Sequence, residues 1–465
     1  MVAWVAMKTT DSALLGHAGS EYLEGAALSD LYTSSSRVFL NTRVLGIFAG
    51  NALGAGQLRM VGVWCQVSLV PLALVAVPVI ALWSVTEPVL LLLGVAPNLA
   101  RIAGHYALIL IASIPPMIIS SQLAKMLEAQ RIMYPSVVAA LAAMACNVLF
   151  GLVFVLGVGI PGWSGFGFLA CPTVTAAMEW LQLAVVYFVF IAWKGLHKPC
   201  WPGWAWRHVT RTRLVAYARL YGPASLSIAS DFWRVAFIGT VAATFGATEV
   251  AVFTTSYRIM WIGLTFVGSV SAAVSIRLGI AFGRGDAADA RYLSLIGMLI
   301  VCVFVVGVGS GIALFSRQLG SIFSSDPVIL DEFERVGLPL ALTTAFMNLS
   351  VAFESIVKSM GRPKIVLYTG FVGSWVFQAP AAFLLSRYVH YKSKLYMLYC
   401  GMAVGYIAVL AMLGFVILNT NWAKYAAEAQ ARGNDKLDKT PAPEASPLLA
   451  GDSTADADAD AKSMP

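Results

Sequence analysis

Two stretches about 229 residues apart are near copies of one another. Residues 49–62 read AGNALGAGQLRMVG, and the run from Ile276 reads IRLGIAFGRGDAADAR; each closes an apolar segment with a G-x-G turn and opens the next with charge. The spacing holds elsewhere. Leu93-Gly94-Val95-Ala96-Pro97 answers Phe323-Ser324-Ser325-Asp326-Pro327, and Gln130 to Pro135 answers Met360 to Pro363. An echo that keeps its offset over such a length means two copies of one unit, so function is to be sought where the copies meet.

Composition fixes the solvent. The chain is 59% hydrophobic and only 12% charged, with a mean hydropathy of +0.77, far from the quarter or so of charged residues usual in soluble domains. It reads as an all-α membrane protein. Apolar runs of about 20 residues predict spans near 28–52, 63–83, 104–127, 137–157, 165–192, 214–244, 250–276, 293–315, 336–358, 364–385 and 395–418. The span at 214–244 opens the second unit, and its counterpart would fall at about −15 to 15, so most of the first helix is expected before Met1. Met1 to Ala6 lacks the basic start and apolar length of a signal peptide. Two units of six spans keep one orientation, which makes the fold a parallel repeat of two six-helix bundles. The expected division is 1–193 for the first bundle, 194–213 for a basic linker, 214–418 for the second bundle and 419–465 for a polar, disordered tail.

Lys and Arg in alternate loops number fourteen on the side of the start and the linker against six on the other, which predicts a cytoplasmic linker. Its WKGLHKPCWPGWAWRHVTRTR combines cations with Trp anchors and reads as a positive-inside loop, not a nucleic-acid patch. Five of the cysteines, Cys65, Cys146, Cys171, Cys302 and Cys400, fall in apolar spans, no C-x-x-C occurs, and the histidines show no metal-ligand spacing. No cofactor is implied, and no protease motif supports an intramembrane enzyme.

Charges inside spans are the informative residues, because each costs several kcal/mol in hydrocarbon unless it faces a cavity or a partner. Asp231 lies about 10 Å deep in SLSIASDFWRVAF. It is either a carboxyl that loads and releases a proton or the partner of Arg234 one turn on. Glu354 precedes Lys358 by one turn and reads either as a site residue or as half of a helix-surface pair. Glu179 has no near partner and reads as a cavity residue or a helix contact. Arg258 is a plausible counter-ion for a carboxylate, and Arg37 and Arg43 snorkel or bond backbone carbonyls. Pro115-Pro116, Pro172 and Pro380 interrupt spans, as moving helices require and as membrane helices commonly tolerate.

The runs TDSALLGHAGSEYLEGAAL (10–28), RVLGIFAGNALGAGQ (43–57), KMLEAQRIMYP (125–135) and SAAVSIRLGIAFGRGD (271–286) resemble the multidrug and toxic compound extrusion (MATE) family. The resemblance implies twelve helices, a central cavity, and export of organic cations or other amphiphiles in exchange for protons or sodium ions. Asp11 resembles the first-helix carboxylate that binds the coupling cation, Asn147 a fifth-helix Asn, Thr173 a sixth-helix Thr, and Asp231 a seventh-helix carboxylate. Other acidic positions of the family fall here on Gly151, Ala236, Arg258 and Met347 or Asn348. Coupling is therefore expected to rest on Asp11 and Asp231, with Glu354 as a substitute and Arg234 and Arg258 as counter-ions.

In the tail, Glu444, Leu448 and Leu449 form an acidic dileucine pattern that an adaptor complex of endosomal or vacuolar membranes would read. The expected partners are a small molecule, an organic cation by the resemblance, and membrane lipid. The location is a multi-pass position in a vacuolar, endosomal or plasma membrane. A flippase for lipid-linked anions and an inactive fragment are the alternatives, the first because of Arg37, Arg43, Arg234 and Arg258.

Overall fold

In hydrocarbon every backbone N–H and C=O must find its partner within the protein, and a helix does this within one segment. The computed structural model describes residues 2–40, 44–323, 326–389, 391 and 393–433 and is helical throughout, with no strand among them. The first half runs through α1 (Val2–Ala18), α2 (Ser20–Arg37), a 3-10 turn at Val38–Leu40, α3 (Val44–Gly54), α4 (Leu58–Ser84) and the short α5 (Thr86–Leu92). It continues with α6 (Pro97–Leu110), which leads through a 3-10 turn into α7 (Ile114–Ala129), then α8 (Tyr134–Leu156) and α9 (Ala170–Ala184), the last running on as a π-helix over Val185–Trp193. The second half consists of α10 (Arg211–Ala243), α11 (Ala247–Arg284), α12 (Ala287–Ser321), α13 (Pro327–Ser359), α14 (Pro363–Phe371) extended through a π-helix at Val372–Gln378 into α15 (Ala379–Tyr388), and α16 (Lys394–Leu418). A last helix, α17 (Trp422–Gly433), follows. Joining the broken helices gives six columns per half. Ten columns are long and apolar enough to cross a membrane; α1 and the α2–α3 pair complete the two sets.

The breaks sit where the sequence supplies them. Asp286, Asp326 and Ser393 cap α12, α13 and α16 by accepting from backbone N–H groups of the first turn at 2.9, 2.9 and 3.1 Å. Pro115-Pro116 opens α7 just after the 3-10 turn, where a ring without an N–H costs nothing. The first span begins earlier than its apolar run suggested. Gly19, with φ of 151°, separates α1 from α2, and Gly246, with φ of 148°, makes the same break between α10 and α11. That backbone conformation is open to glycine and strained for other residues. The polar start SEYLEG of α2 concealed this boundary, so the column runs from Ser20 and not from 28. By the same alignment the 17-residue α1 matches the second half of the 33-residue α10.

Two further expectations need correction. The linker ends sooner than expected and is held against the first half: Gln66 on α4 donates to Gly203 O at 2.7 Å and accepts from Ala205 N at 2.9 Å, and Gly62 N reaches Cys200 O at 3.2 Å. Burial pushes the Cys200 thiol up to about 12. Thr210 caps α10, which therefore starts at Arg211, inside the expected linker. Nor is the chain beyond Asn419 disordered from its start. In WAKYAAEAQARG, Ala426, Ala429 and Gly433 are buried on one face, and Trp422 stacks on Phe282 of α11 with ring centroids 6.1 Å apart. Small residues at steps of three and four make this helical face, and composition alone conceals it. Glu444, Leu448 and Leu449, like Arg43, lie outside the described residues.

The repeated glycine runs turn out to lie where the two halves approach backbone to backbone. A Cβ on Gly50 of α3 would lie 3.2 Å from the Cα of Gly279 on α11; one on Gly54 would lie 2.1 Å from Ile280 O; one on Gly283 would lie 2.3 Å from Asn51 O. Each half thus presents a G-x-x-x-G face, and only hydrogen side chains let the two backbones approach so closely. The α17 helix packs over this seam against both α3 and α11, with Gly433 beside Asn51 O. Gly54→Val or Gly283→Val, each of which would drive a side chain into a backbone carbonyl of the other half, is expected to cost about 2 kcal/mol of stability. Thermal unfolding in detergent measures the loss; an unchanged midpoint would show that the halves do not meet there.

Candidate functional site

The first cluster forms around Asp11. Apolar residues Leu14 and Leu15 hold α1 against its neighbours, and the Asp11 carboxyl on this face is 3% exposed. Thr175 of α9 donates to Oδ2 at 2.8 Å, and Asn147 of α8 donates through Nδ2 to Oδ1 at 3.3 Å. Asn147 Oδ1 is buried without a partner among the described residues. Lys8, one turn before Asp11, is held instead by Asp30 of α2 at 2.8 Å. Gly151 sits one turn beyond Asn147. A Cβ there would lie 2.4 Å from Leu14 Cδ1, so Leu14 fills the space where a larger side chain would stand.

The second cluster lies in the other half. Arg234 is buried, donates through Nη1 to Gln378 Oε1 at 2.5 Å, and lies over the Tyr406 ring at 4.9 Å. Gln378 in turn donates to Met402 O at 2.8 Å. Asp231 is 3.4 Å from Arg234 Nη2, and its side chain keeps 41% of its surface accessible against 9% for Arg234. Asp231 is thus the exposed end of a network whose buried end is fixed by neutral groups.

A family model described as MatE matches residues 1–153 and 223–384, most of both halves. The chain belongs to the MATE family of transporters. It is 26% identical over 438 residues to Multidrug and toxin extrusion protein 1 of Danio rerio, covering 91% of this chain and 71% of that one. It is 24% identical to Protein DETOXIFICATION 14 of Arabidopsis thaliana, covering 90% and 85%. The fold matches a crystal structure of the eukaryotic MATE transporter AtDTX14 with a TM-score of 0.81 at 23% identity, over 93% and 95% of the two chains. It is therefore an integral, multi-pass membrane protein of a multidrug efflux family.

Not every residue singled out in the sequence joins these clusters. Thr173 is exposed and turns its hydroxyl to Leu169 O at 2.7 Å, while Thr175 reaches Asp11. Two residues on a helix differ by about 200°, so these two cannot face the same group. The buried stripe Cys171, Thr175, Glu179 at steps of four was the signal that separates them. Glu179 has a partner after all: Arg37 of α2 pairs with it at 2.8 Å, and Arg37 Nε lies 3.1 Å from Met117 Sδ. Arg37 is therefore held by a carboxylate inside the protein. Glu354 pairs with Lys358 at 2.8 Å, the helix-surface pair that their spacing allowed. Arg258 is exposed and is no counter-ion, having no ion pair or hydrogen bond among the described residues.

The Arg37–Glu179 pair joins α2 to α9, with side chains 19% and 9% exposed. Removing one partner strands the other charge, so Glu179→Leu is expected to cost about 3 kcal/mol, and Arg37→Met in the same chain should recover most of it. Thermal unfolding in detergent measures both; equal losses in the single and double variants would show that the pair does not couple.

Proposed function

We propose that this MATE transporter exports amphiphilic small molecules in exchange for protons, and that the Asp11 carboxyl carries the proton. One observation supports this above the others: among the described residues, the carboxyl oxygens of Asp11 are hydrogen-bonded only by neutral side chains that can reverse their roles. The Thr175 hydroxyl also lies 3.1 Å from Cys171 O. It can turn its proton there and offer Asp11 a lone pair. Asn147, by turning its amide over, can present the unpartnered Oδ1 to a protonated Asp11. A pocket able to bond both the carboxylate and the acid avoids leaving an unmet polar group in either state.

Asp231 takes the lesser part in this reading. Arg234 beside it carries a fixed positive charge, so Asp231 serves as its counter-charge, and Gln378 and Tyr406 would still hold Arg234 without it. The substrate path follows from the repeat. The halves touch through glycines at the linker end, and α2, which continues α3 away from that end, makes no comparable contact with α11 among the described residues. A cleft between the halves, open at the far end, accounts for both.

In proteoliposomes with an outward-directed substrate load and a proton gradient, the full chain is expected to release a fluorescent amphiphile. Asp11→Asn should reduce the rate at least ten-fold without loss of the folded, monodisperse protein, Thr175→Val should slow it several-fold, and Asp231→Asn should leave most of it. A wild-type rate in Asp11→Asn would remove Asp11 from the mechanism. Exchange driven by a sodium gradient at constant pH, and by nothing else, would replace the proton with sodium.

A further inference from the structure

One face of α11 carries residues 254, 258, 261, 265, 269, 272, 276, 279 and 283, spaced by threes and fours, hence on one line along the helix. The lower end of this line holds Gly279 and Gly283, which touch α3 of the other half, with Ile276 O 3.6 Å from a Cβ built on Gly50. The upper end is Thr254, Arg258, Trp261, Thr265 and Ser269. Of these Thr254, Arg258, Trp261 and Ser269 are exposed and Thr265 is half-buried. Since the line is one face, its upper end looks toward the other half as its lower end does, where the two halves no longer touch. Thr265 and Ser269 turn their hydroxyls to Trp261 O and Thr265 O at 2.9 and 2.8 Å, so it is the arginine on this accessible strip of a membrane helix that suits water and not lipid.

Charge on this strip has a sign. The ion pairs inside the helix columns, Lys8–Asp30, Arg37–Glu179, Arg234–Asp231 and Lys358–Glu354, are each internally neutral. Arg258 is left as an accessible cation with no partner among the described residues, roughly twelve residues along α11 from Gly246 and so about 18 Å from that end of the helix. Below it, one turn nearer Gly279, Trp261 is exposed, 42% accessible, on the same strip. A planar guanidinium beside an indole suits a ligand with a flat apolar body and an oxyanion, which the guanidinium holds by paired hydrogen bonds. We propose that the cleft takes amphiphilic anions, carboxylates, sulfonates or phosphates on an aromatic or alkyl body, with Arg258 as the residue that binds the anionic group. This rests on the antiport reading above and narrows its substrate.

The test uses the full chain in proteoliposomes with three probes: anilinonaphthalene sulfonate as a soluble anion, tetraethylammonium as a soluble cation, and a fluorescent phosphatidic acid in one leaflet. The expected result is proton-driven movement of the sulfonate that falls at least ten-fold in Arg258→Gln, returns in part in Arg258→Lys, and gives way to tetraethylammonium movement in Arg258→Glu. Arg258-dependent movement of the phosphatidic acid without the sulfonate would also support an anion site and place the anion on a lipid. Movement of tetraethylammonium and of neither anion by the wild type, or a wild-type sulfonate rate in Arg258→Gln, would overturn the proposal. Saturable sulfonate binding to the purified chain by equilibrium dialysis separates the two readings. Binding that Arg258→Gln abolishes supports the anion site even where no proton-driven transport is seen, which would fault the antiport reading alone; binding that Arg258→Gln leaves intact, or no binding, overturns the anion site whatever the transport result.

Discussion

The approach of α3 and α11 through glycine is the contact on which the arrangement depends. Two membrane helices in lipid gain nothing from apolar burial, because lipid is as apolar as leucine, so close packing must supply the attraction. Gly50, Gly54, Gly279 and Gly283 allow backbone to meet backbone, and any larger side chain at Gly54 or Gly283 would overlap a carbonyl of the other half. Along α10 the halves meet again, through Tyr217 stacked on Phe48 and Tyr221 donating to Phe39 O at 2.6 Å. The α17 helix covers it with its own small residues, Ala426, Ala429 and Gly433, and caps the neighbourhood through Gln430, which donates to Arg284 O at 3.4 Å. At the far ends of the columns no such glycine contact joins the halves among the described residues.

Within each half, polar side chains follow a second constraint: a charge in the columns has a partner or an exit. Lys8 takes Asp30, Arg37 takes Glu179, and Arg234 takes Asp231 together with Gln378. Asp11 differs, since its carboxyl has amide and hydroxyl neighbours in place of a salt bridge. Such a group can change its protonation without stranding a fixed counter-charge. By the same rule Arg258 stands out as an accessible cation without an ion pair among the described residues.

Much of this was legible in the residues. Apolar runs placed nearly all of the columns, because the length needed to cross a bilayer and the satisfaction of backbone groups by helix are local requirements. The start of the second column was missed since its first two turns, SEYLEG, are polar and the break lies in the backbone of Gly19. Helix α17 was missed for a related reason: a charged, alanine-rich segment looks solvated until a groove is present to receive one face of it. Asp11 and Asn147 were identified by family resemblance and do meet; Thr173 failed because a resemblance in motif does not fix rotational phase, and the hydroxyl two residues on points the other way.

The sequence by itself determined that this chain spans a membrane, that it is built of two like units, that glycines mark one part of each unit, and which few charges lie within apolar helices. These follow from composition and local period, which no distant contact can undo. Only the tertiary structure decided which glycines touch across the halves, that Glu179 belongs to Arg37 and Gln378 to Arg234, that Thr175 serves Asp11, and that Arg258 shares a face with Gly279. Each of those depends on how helices more than a hundred residues apart are rotated about their own axes when packed. That rotation is set by the fit of all their side chains at once.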